Sequence, residues 1–139
     1  MANGLIYTLR RTAFWYLIMK LRIKSNSIRY RLTRTDVDQL LKAGYLKDGV
    51  NFGDDELTYV LQSTGEEQLS ADFKNNIVTL YIPKPMLIEL ANTDKVGFEH
   101  TDGALHLLVE KDFMCLDNVA EDQSDNYPNP LATKDHEQD

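Results

Sequence analysis

The same pattern of apolar and polar residues occurs twice in this chain, and this repetition constrains the fold more than any other feature of the sequence. Shifting the sequence by 50 positions aligns Lys24 with Lys74 and Asn26 with Asn76. The apolar positions of LRIKSNSIRYRLTRTDVDQLL and ADFKNNIVTLYIPKPMLIELA then coincide. Because one repeat unit cannot bury its apolar surface alone, we expect the two copies to pack against each other.

Each copy predicts a hairpin followed by a short helix. Alternating apolar residues at Ile28–Leu32 and Val78–Ile82 predict β-strands, each preceded by a polar turn and a shorter strand. Thr33 is a suitable N-cap for the first helix, and Gly44 is suited to its C-terminal end. Pro83, with another proline two residues later, starts the second helix.

A second hairpin closes each copy. The segments VNFGDDELTYVLQ and VGFEHTDGALHLLVEKDF share a Val-x-Phe motif, an acidic turn and an alternating strand. We therefore predict two ββαββ units, at residues 19–64 and 67–113. Each unit alone leaves strand edges unpaired, so we expect the two units to interlock. The predicted fold is α+β and mainly antiparallel β, with one sheet or barrel around a pseudo-two-fold axis and two short helices.

The second copy resembles the swapped-hairpin proteins of the AbrB and MazE type. The resemblance is carried by Ile82-Pro83-Lys84, Asp94-Lys95-Val96-Gly97-Phe98 and Asp102-Gly103. It implies interleaved hairpins, here supplied by one chain, and DNA contact through the opening hairpins. The DNA-binding members carry cations in the opening hairpins of both halves, whereas residues 69–84 hold only Lys74 and Lys84 against Asp72.

A second resemblance extends over more of the chain. The segments MKLRIKSNSIRYRLT, VEKDFMCL and EDQSDNYPNP are similar to the signatures of a small bacterial family that is known only as a domain of unknown function. This resemblance implies that Met19 is the usual start, so that residues 1–18 form an N-terminal extension. It implies no activity.

Positive charge is concentrated at the start of the chain. Residues 1–34 hold eight of the 15 Lys and Arg residues and none of the 22 Asp and Glu residues, although the formal net charge is -7. On two paired strands, alternation turns five cations to one face, and a sixth follows where the helix starts. Like charges across a sheet are destabilising, so we expect anions to balance this face. The candidate binding residues are Lys20, Arg22, Lys24, Arg29, Arg31 and Arg34.

Three sources could supply these anions. Neighbouring strands offer Glu99, Glu110 and Asp112. Nucleic acid offers phosphates, and a protein partner with an acidic surface, or a small anionic molecule, is the third source. The sequence therefore predicts a non-catalytic binding or regulatory module that uses its basic hairpin for protein or nucleic-acid contact.

An alternative function is binding of a phosphate ligand inside a β-barrel. Such a barrel resembles the tunnel-shaped triphosphatases, and this resemblance implies a polyphosphate hydrolase. Those enzymes open with alternating Glu and Lys, whereas the segment KLRIK contains no acid. The barrel alternative predicts a cavity lined by the cations, and the binding module predicts cations on an outer face.

The last residues, 117–139, form an acidic tail with seven carboxylates, one lysine and two prolines. This composition predicts a flexible segment, or one laid across a surface. Its charge is opposite to that of the basic hairpin, so we hypothesise that the tail covers the hairpin and competes with an outside ligand. Residues 19–116 are then a single domain, in a protein that is a monomer or a homodimer.

No catalytic constellation stands out in the sequence, and we expect no cofactor and no metal. His100 and His106 could face each other across a hairpin, but a histidine on an exposed strand is usually a plain polar residue. Cys115 has apolar neighbours, which favour a packed thiol over a nucleophile. We therefore expect a binding protein and not an enzyme.

The expected location is the cytoplasm of a bacterial cell. Cys115 is the one cysteine of the chain, which excludes an internal disulfide and is typical of a reducing compartment. The apolar run before Lys20 is too short to span a bilayer, and no small-residue cleavage site follows it. We therefore expect no membrane anchor.

Overall fold

The computed structural model describes residues 19–113 and 124–131, which form eight strands and two helices. The strands are β1 (Lys20–Lys24), β2 (Ser27–Leu32), β3 (Tyr45–Asn51), β4 (Glu56–Thr64), β5 (Ser70–Lys74), β6 (Ile77–Pro83), β7 (Gly97–Asp102) and β8 (Leu105–Lys111). The helices are α1 (Arg34–Ala43) and α2 (Lys84–Asn92). Neither helix of the described part is long and apolar enough to cross a membrane.

The strands form two four-stranded sheets. The first sheet has the order β1-β2-β8-β7, and the second has the order β3-β4-β6-β5. Within each sheet the two central strands are parallel, β2 with β8 and β4 with β6, and the other pairs are antiparallel. The predicted α+β fold with mainly antiparallel strands and two short helices is confirmed. The single sheet or closed barrel is wrong, because each half of the chain places its two hairpins in different sheets.

The opening hairpins of the two halves have the same pairing. In the first sheet, Ile28 lies between Ile23 of β1 and Leu107 of β8. In the second sheet, Val78 lies between Phe73 of β5 and Tyr59 of β4. The backbone hydrogen bonds beside these pairs also match, since His106 N–H donates to the Asn26 carbonyl at 3.0 Å and Thr58 N–H donates to the Asn76 carbonyl at 3.0 Å. The 50-residue shift of the sequence therefore describes equivalent positions in β1–β2 and β5–β6.

The closing hairpins correspond in a different register from the one that the Val-x-Phe motif predicts. Phe98 pairs with Val109 and packs against the core, whereas Phe52 follows β3 and is 71% exposed. The residue of β3 that occupies the place of Phe98 is Leu46, which pairs with Leu61. The motif misleads because four residues separate β3 from β4, and two residues separate β7 from β8.

The first helix begins and ends where the sequence predicts, and the second begins where the sequence predicts. At the start of α1, Asp36 N–H donates to Thr33 Oγ1 at 3.2 Å, and Thr33 N–H donates to Asp36 Oδ2 at 2.9 Å. This reciprocal capping satisfies two N–H groups that have no partner within the helix. Gly44 ends α1 in the left-handed conformation, with φ 86°. Helix α2 follows Pro83, and Pro85 lies in its first turn.

The core lies where the inner faces of the two sheets and the two helices meet. Tyr30 of the first sheet is fully buried, and its hydroxyl donates to the Val78 carbonyl of the second sheet at 3.3 Å. Its ring meets Tyr59 edge to face, with centroids 6.3 Å apart. Both rings therefore contribute to the core. Other fully buried members of the core are Leu32, Leu40, Leu61, Leu80, Ile82 and Leu107.

Candidate functional site

The pairing of β1 with β2 brings five cations to one side of the first sheet. Lys20 is opposite Arg31, and Arg22 is opposite Arg29. Residues directly opposite each other project from the same side of a sheet, and Lys24 follows in the same row as Lys20 and Arg22. This side is turned away from the core, because Tyr30 and Leu32 project from the other side. We call Lys20, Arg22, Lys24, Arg29 and Arg31 the cationic face.

Negative charge follows on the other two strands of the same sheet. Glu110 of β8 is in register with Arg31, and Leu108 is in register with Arg29. Glu99 of β7 is opposite Leu108. The outer side of the first sheet is therefore cationic at its β1 edge and acidic toward its β7 edge.

Two members of the cationic face have ion-pair partners within the domain. Arg29 Nε lies 2.8 Å from Glu110 Oε1. Lys20 Nζ lies 3.0 Å from Asp112 Oδ2, and the Asp112 side chain is only 6% exposed. The expectation that neighbouring acids balance part of the face is therefore met by Glu110 and Asp112. Glu99 instead contacts a histidine ring.

The other three members of the face have no ion-pair partner among residues 19–113 and 124–131. Arg22 and Lys24 are exposed, and Arg31 is partly buried. Arg22 projects beside Arg29 from an adjacent strand, and like charges in this position are unfavourable. The Glu110 carboxylate beside Arg29 offsets part of this repulsion.

Arg34 is not part of the cationic face. It is the first residue of α1, and its guanidinium carbon lies 5.4 Å from the centre of the Tyr127 ring. Its backbone N–H donates to the Asp125 carbonyl at 3.3 Å. The strand ends at Leu32, and the start of the helix turns Arg34 toward another part of the chain, away from the five cations of the face.

The partner of Arg34 is a C-terminal segment, Ser124–Leu131, which we call the docked segment. Tyr127 N–H donates to the Asp112 carbonyl at 3.0 Å, and Thr35 Oγ1 donates to Asp125 Oδ1 at 2.9 Å. Lys111 Nζ lies 4.8 Å from the centre of the Tyr127 ring and donates to the Thr93 carbonyl at 2.8 Å. Burial lowers the pKa of Lys111 below its usual value. The docked segment thus ties the end of β8 to the start of α1.

Sequence reasoning missed this contact because the surrounding residues are polar and acidic. The signal that could have indicated it is Tyr127, the one aromatic residue of the tail, which stands before Pro128. The docked segment contacts Arg34, Thr35, Lys111, Asp112 and Phe113. Within the described ranges it makes no contact with Arg22, Arg29 or Arg31. The rest of the tail lies outside the described residues.

The two histidines of β7 and β8 project from opposite sides of the first sheet. His100 is opposite Leu107 of the core, whereas His106 is opposite Thr101 on the outer side. His106 Nε2 lies 3.3 Å from Glu99 Oε2, and its Nδ1 lies 2.9 Å from Thr101 Oγ1. The two imidazoles therefore cannot share one ligand. In the part of the chain that the structure describes, no three His, Cys, Asp or Glu side chains are grouped as for a metal ion.

The chain matches the model of a protein family. The model of a family of unknown function, DUF7009, matches residues 19–131. The matched range begins at the residue before β1 and ends with the docked segment, so the family pattern includes both. No curated protein and no solved structure matches the chain.

Proposed function

The chain belongs to this family of unknown function, DUF7009, and we propose that it is a non-catalytic binding module that holds an acidic protein partner on its cationic face. The observation that carries the proposal is the presence of Arg22, Lys24 and Arg31 on one side of β1–β2 without an ion-pair partner among the described residues. Charged groups that stay unpaired next to like charges reduce stability, so their presence favours a role in recognition.

The order of the strands favours a protein partner over nucleic acid. The cationic face is two strands wide, and neighbouring strands lie about 4.8 Å apart. A duplex lying across the face extends over β8 and β7, where its phosphates meet Glu110 and Glu99. A net charge of -7 adds long-range repulsion of a polyanion. An acidic segment of a protein is narrow enough to contact the β1 side alone.

Symmetric DNA binding of the AbrB type finds little support on the second sheet. There, β5 and β6 present Ser70, Asp72 and Lys74 beside Ile77, Thr79 and Tyr81. The two opening hairpins therefore have equivalent backbones but different charge. We attribute the equivalence to duplication of one ββαββ unit, and the cations of the first hairpin to a later specialisation for binding.

The barrel alternative needs a closed cavity lined by the cations. The two sheets are open, and the cationic face is directed away from the core that lies between them. Binding of a phosphate ligand in a tunnel, and hydrolysis there, therefore have no support from the arrangement of the strands.

We further propose that the acidic tail regulates the same face. Asp112, which contacts Lys20, lies five residues before the start of the acidic tail. Substituting Asp117, Glu121 and Asp122 by Asn or Gln removes tail charge and leaves the docked segment intact. If the tail competes for the cationic face, this variant binds an acidic peptide several-fold more tightly in low salt. Unchanged affinity would contradict the competition.

The test of the proposed function is a charge reversal with a matched control. Arg22→Glu combined with Arg31→Glu changes the cationic face, and Lys47→Glu combined with Lys74→Glu makes the same change of net charge on the outer side of the second sheet. The probe is a fluorescent peptide of alternating Glu and Val, titrated at two salt concentrations. We expect the first variant to lose affinity by about tenfold or more, and the control to stay within about twofold.

Two results would contradict the proposal. Equal losses in the two variants would mean that only net charge matters. Tighter binding of a DNA duplex than of the acidic peptide, with the duplex affinity lost in the Arg22→Glu, Arg31→Glu variant, would assign the face to nucleic acid. This test is independent of two other predictions, namely the cytoplasmic location and the monomeric or homodimeric state.

A further inference from the structure

We infer that the acidic partner binds as an added strand along the outer edge of β1, which is unpaired among the described residues. This inference rests on the proposed function. In the first sheet β1 is the outermost strand, and among the described residues it pairs only with β2. A free strand edge offers a row of N–H and C=O groups to an extended peptide. The cationic face begins at this same edge.

The register of the hairpin shows which backbone groups are available. Lys24 and Ser27 flank a two-residue turn, so this pair exchanges hydrogen bonds, as do the pairs at every second residue. Arg22 is therefore bonded to β2 through its backbone. The N–H and C=O groups of Leu21 and Ile23 are directed to the free edge, where a partner strand can reach them.

The side chains of β1 specify the sequence of that partner. Lys20, Arg22 and Lys24 project from the outer side, and the last two are without an ion-pair partner among the described residues. Leu21 and Ile23 project from the inner side, and Ile23 is 60% exposed. A strand added at this edge places every second side chain beside the cations and the others beside Leu21 and Ile23. The matching partner alternates Glu or Asp with Val, Ile or Leu.

The same cations prevent incorrect pairing of this edge. Two copies of β1 lying edge to edge would place Lys and Arg beside Lys and Arg, which is unfavourable. The Lys and Arg side chains of β1 attract an acidic strand and repel a second β1 strand, and this combination gives specificity. Strand β5 is the internal comparison, because it is also an outermost strand next to a two-residue turn but has Ser70, Asp72 and Lys74 on its outer side.

Amide hydrogen exchange of the full chain tests the strand addition. The probe is again the peptide of alternating Glu and Val. We expect the amides of Leu21 and Ile23 to exchange more slowly when the peptide is bound, by about tenfold or more at saturation. The amides of Ala71 and Phe73, which face the free edge of β5 in the same way, should not change.

Two further comparisons separate backbone pairing from simple charge attraction. A peptide with N-methyl groups on the residues whose N–H groups face β1 should bind at least about fivefold more weakly than one N-methylated on the other residues. Ile23→Asn should weaken binding several-fold, and the matched exposed variant Phe73→Asn should not. Both substitutions are at well exposed positions, so both proteins are expected to fold.

The outcomes distinguish this inference from the proposed function. If charge reversal at Arg22 and Arg31 removes binding but the Leu21 and Ile23 amides exchange as before, the acidic partner is bound by charge alone and the strand addition is wrong. If charge reversal has no more effect than its control, both proposals fail. Failure of the wild-type chain to bind the alternating peptide overturns both as well.

Discussion

Lys20 and Asp112 form an ion pair between the outermost strand of the first sheet and the residue that follows its central strand β8. The Lys20 Nζ to Asp112 Oδ2 distance is 3.0 Å, and the two side chains are 43% and 6% exposed. Asp112 also receives a hydrogen bond from Tyr127 N–H on its carbonyl and donates its own N–H to the Leu32 carbonyl at 2.8 Å. One residue therefore connects the cationic face, the sheet and the docked segment.

The unequal burial of this pair predicts unequal costs when either partner is changed. Lys20→Met leaves a buried carboxylate without this countercharge, and we expect the free energy of unfolding to fall by about 1–2 kcal/mol. Asp112→Asn leaves a lysine that reaches water, so we expect a cost below about 1 kcal/mol. Urea unfolding of both variants measures the difference. Lys24→Met is the control and should change stability by less than about 0.5 kcal/mol.

Equal costs for Lys20→Met and Asp112→Asn would show that burial of the carboxylate is unimportant. A double variant completes the comparison. Once the Asp112 charge is removed, the further change Lys20→Met should cost less than it does in the wild type, because no buried carboxylate is then left without its countercharge.

Strand alternation and helix-capping residues were sufficient to predict the strands and helix ends that depend on local interactions. The alternation around Tyr30 identified which side of β2 is buried, and Thr33 and Gly44 marked the two ends of α1. The same alternation placed the five cations of β1 and β2 on one side. Each of these features depends on residues within a few positions of one another, so one sequence contains enough information.

Contacts between distant parts of the chain were not predictable in the same way. The parallel pairing of Ile28 with Leu107 joins residues far apart in sequence, and nothing near either residue selects the other. For this reason two open sheets could not be distinguished from one sheet or a barrel. The contact of Arg34 with Tyr127 was missed because Arg34 was grouped with the strand cations by proximity in sequence.

The docked segment should contribute measurably to stability through the Tyr127 ring. Arg34 and Lys111 both lie near this ring, 5.4 Å and 4.8 Å from its centre, and the ring meets Phe113 edge to face at 6.2 Å. Each cation–π contact contributes about 0.5–1 kcal/mol at exposed sites. We expect Tyr127→Ala to lower the free energy of unfolding by about 1–3 kcal/mol, including the lost packing. Tyr127→Phe retains the ring and should stay within about 0.5 kcal/mol near neutral pH.

Denaturant unfolding of the Tyr127 variants measures these differences. If Tyr127→Ala unfolds with wild-type stability, the docked segment does not hold the end of β8 to α1. A loss in Tyr127→Phe as large as in Tyr127→Ala would assign the effect to the hydroxyl instead of the ring.

Stability should fall as the pH rises through the range in which tyrosines ionise. Burial raises the pKa of Tyr127 from 10.0 to about 12. Burial, together with the charge of Asp48, raises the pKa of Tyr59 to about 12 as well. Above its ordinary pKa the unfolded chain releases these protons while the folded chain retains them, so ionisation favours unfolding. The contribution is fully present below pH 10 and is lost as the pH approaches 12.

Urea unfolding at a series of pH values, with Tyr127→Phe and Tyr59→Phe beside the wild type, measures this loss. Each variant removes one group with a raised pKa, so each should show a smaller loss of stability across the alkaline range. A pH dependence that is identical in all three proteins would contradict the assignment.

The capping of α1 predicts a selective effect at Thr33. Its hydroxyl accepts from Asp36 N–H, and both residues are fully buried. Thr33→Ala leaves a buried N–H without this acceptor, and we expect a cost of about 1–2 kcal/mol. Thr33→Ser retains the acceptor and should cost less than half as much. Thermal unfolding of the two variants checks the prediction, and equal losses would assign the effect to the Thr33 methyl group.

The pair Arg22 and Arg29 predicts that binding and stability oppose each other on the cationic face. The two residues are directly opposite each other on β1 and β2, and like charges in this position are unfavourable. Glu110 offsets part of this repulsion through its ion pair with Arg29. Arg22→Thr removes the remaining repulsion and introduces a residue that favours strands, so we expect a gain of up to about 0.5 kcal/mol in low salt. Salt screens the repulsion, so the gain should shrink as salt is added. The same variant should bind the alternating acidic peptide more weakly.

The matched control for this variant is Asp72→Thr, at the equivalent position of β5. Asp72 is opposite the uncharged Thr79, and it accepts a hydrogen bond from the Tyr81 hydroxyl at 3.0 Å. No like-charge repulsion is relieved there and one hydrogen bond is lost, so stability should fall slightly and peptide binding should not change. If Arg22→Thr lowers stability in low salt, this arginine stabilises the fold. Its unpaired charge would then no longer indicate a role in binding a partner. A gain in stability together with weaker binding is the result expected of a residue that serves a partner.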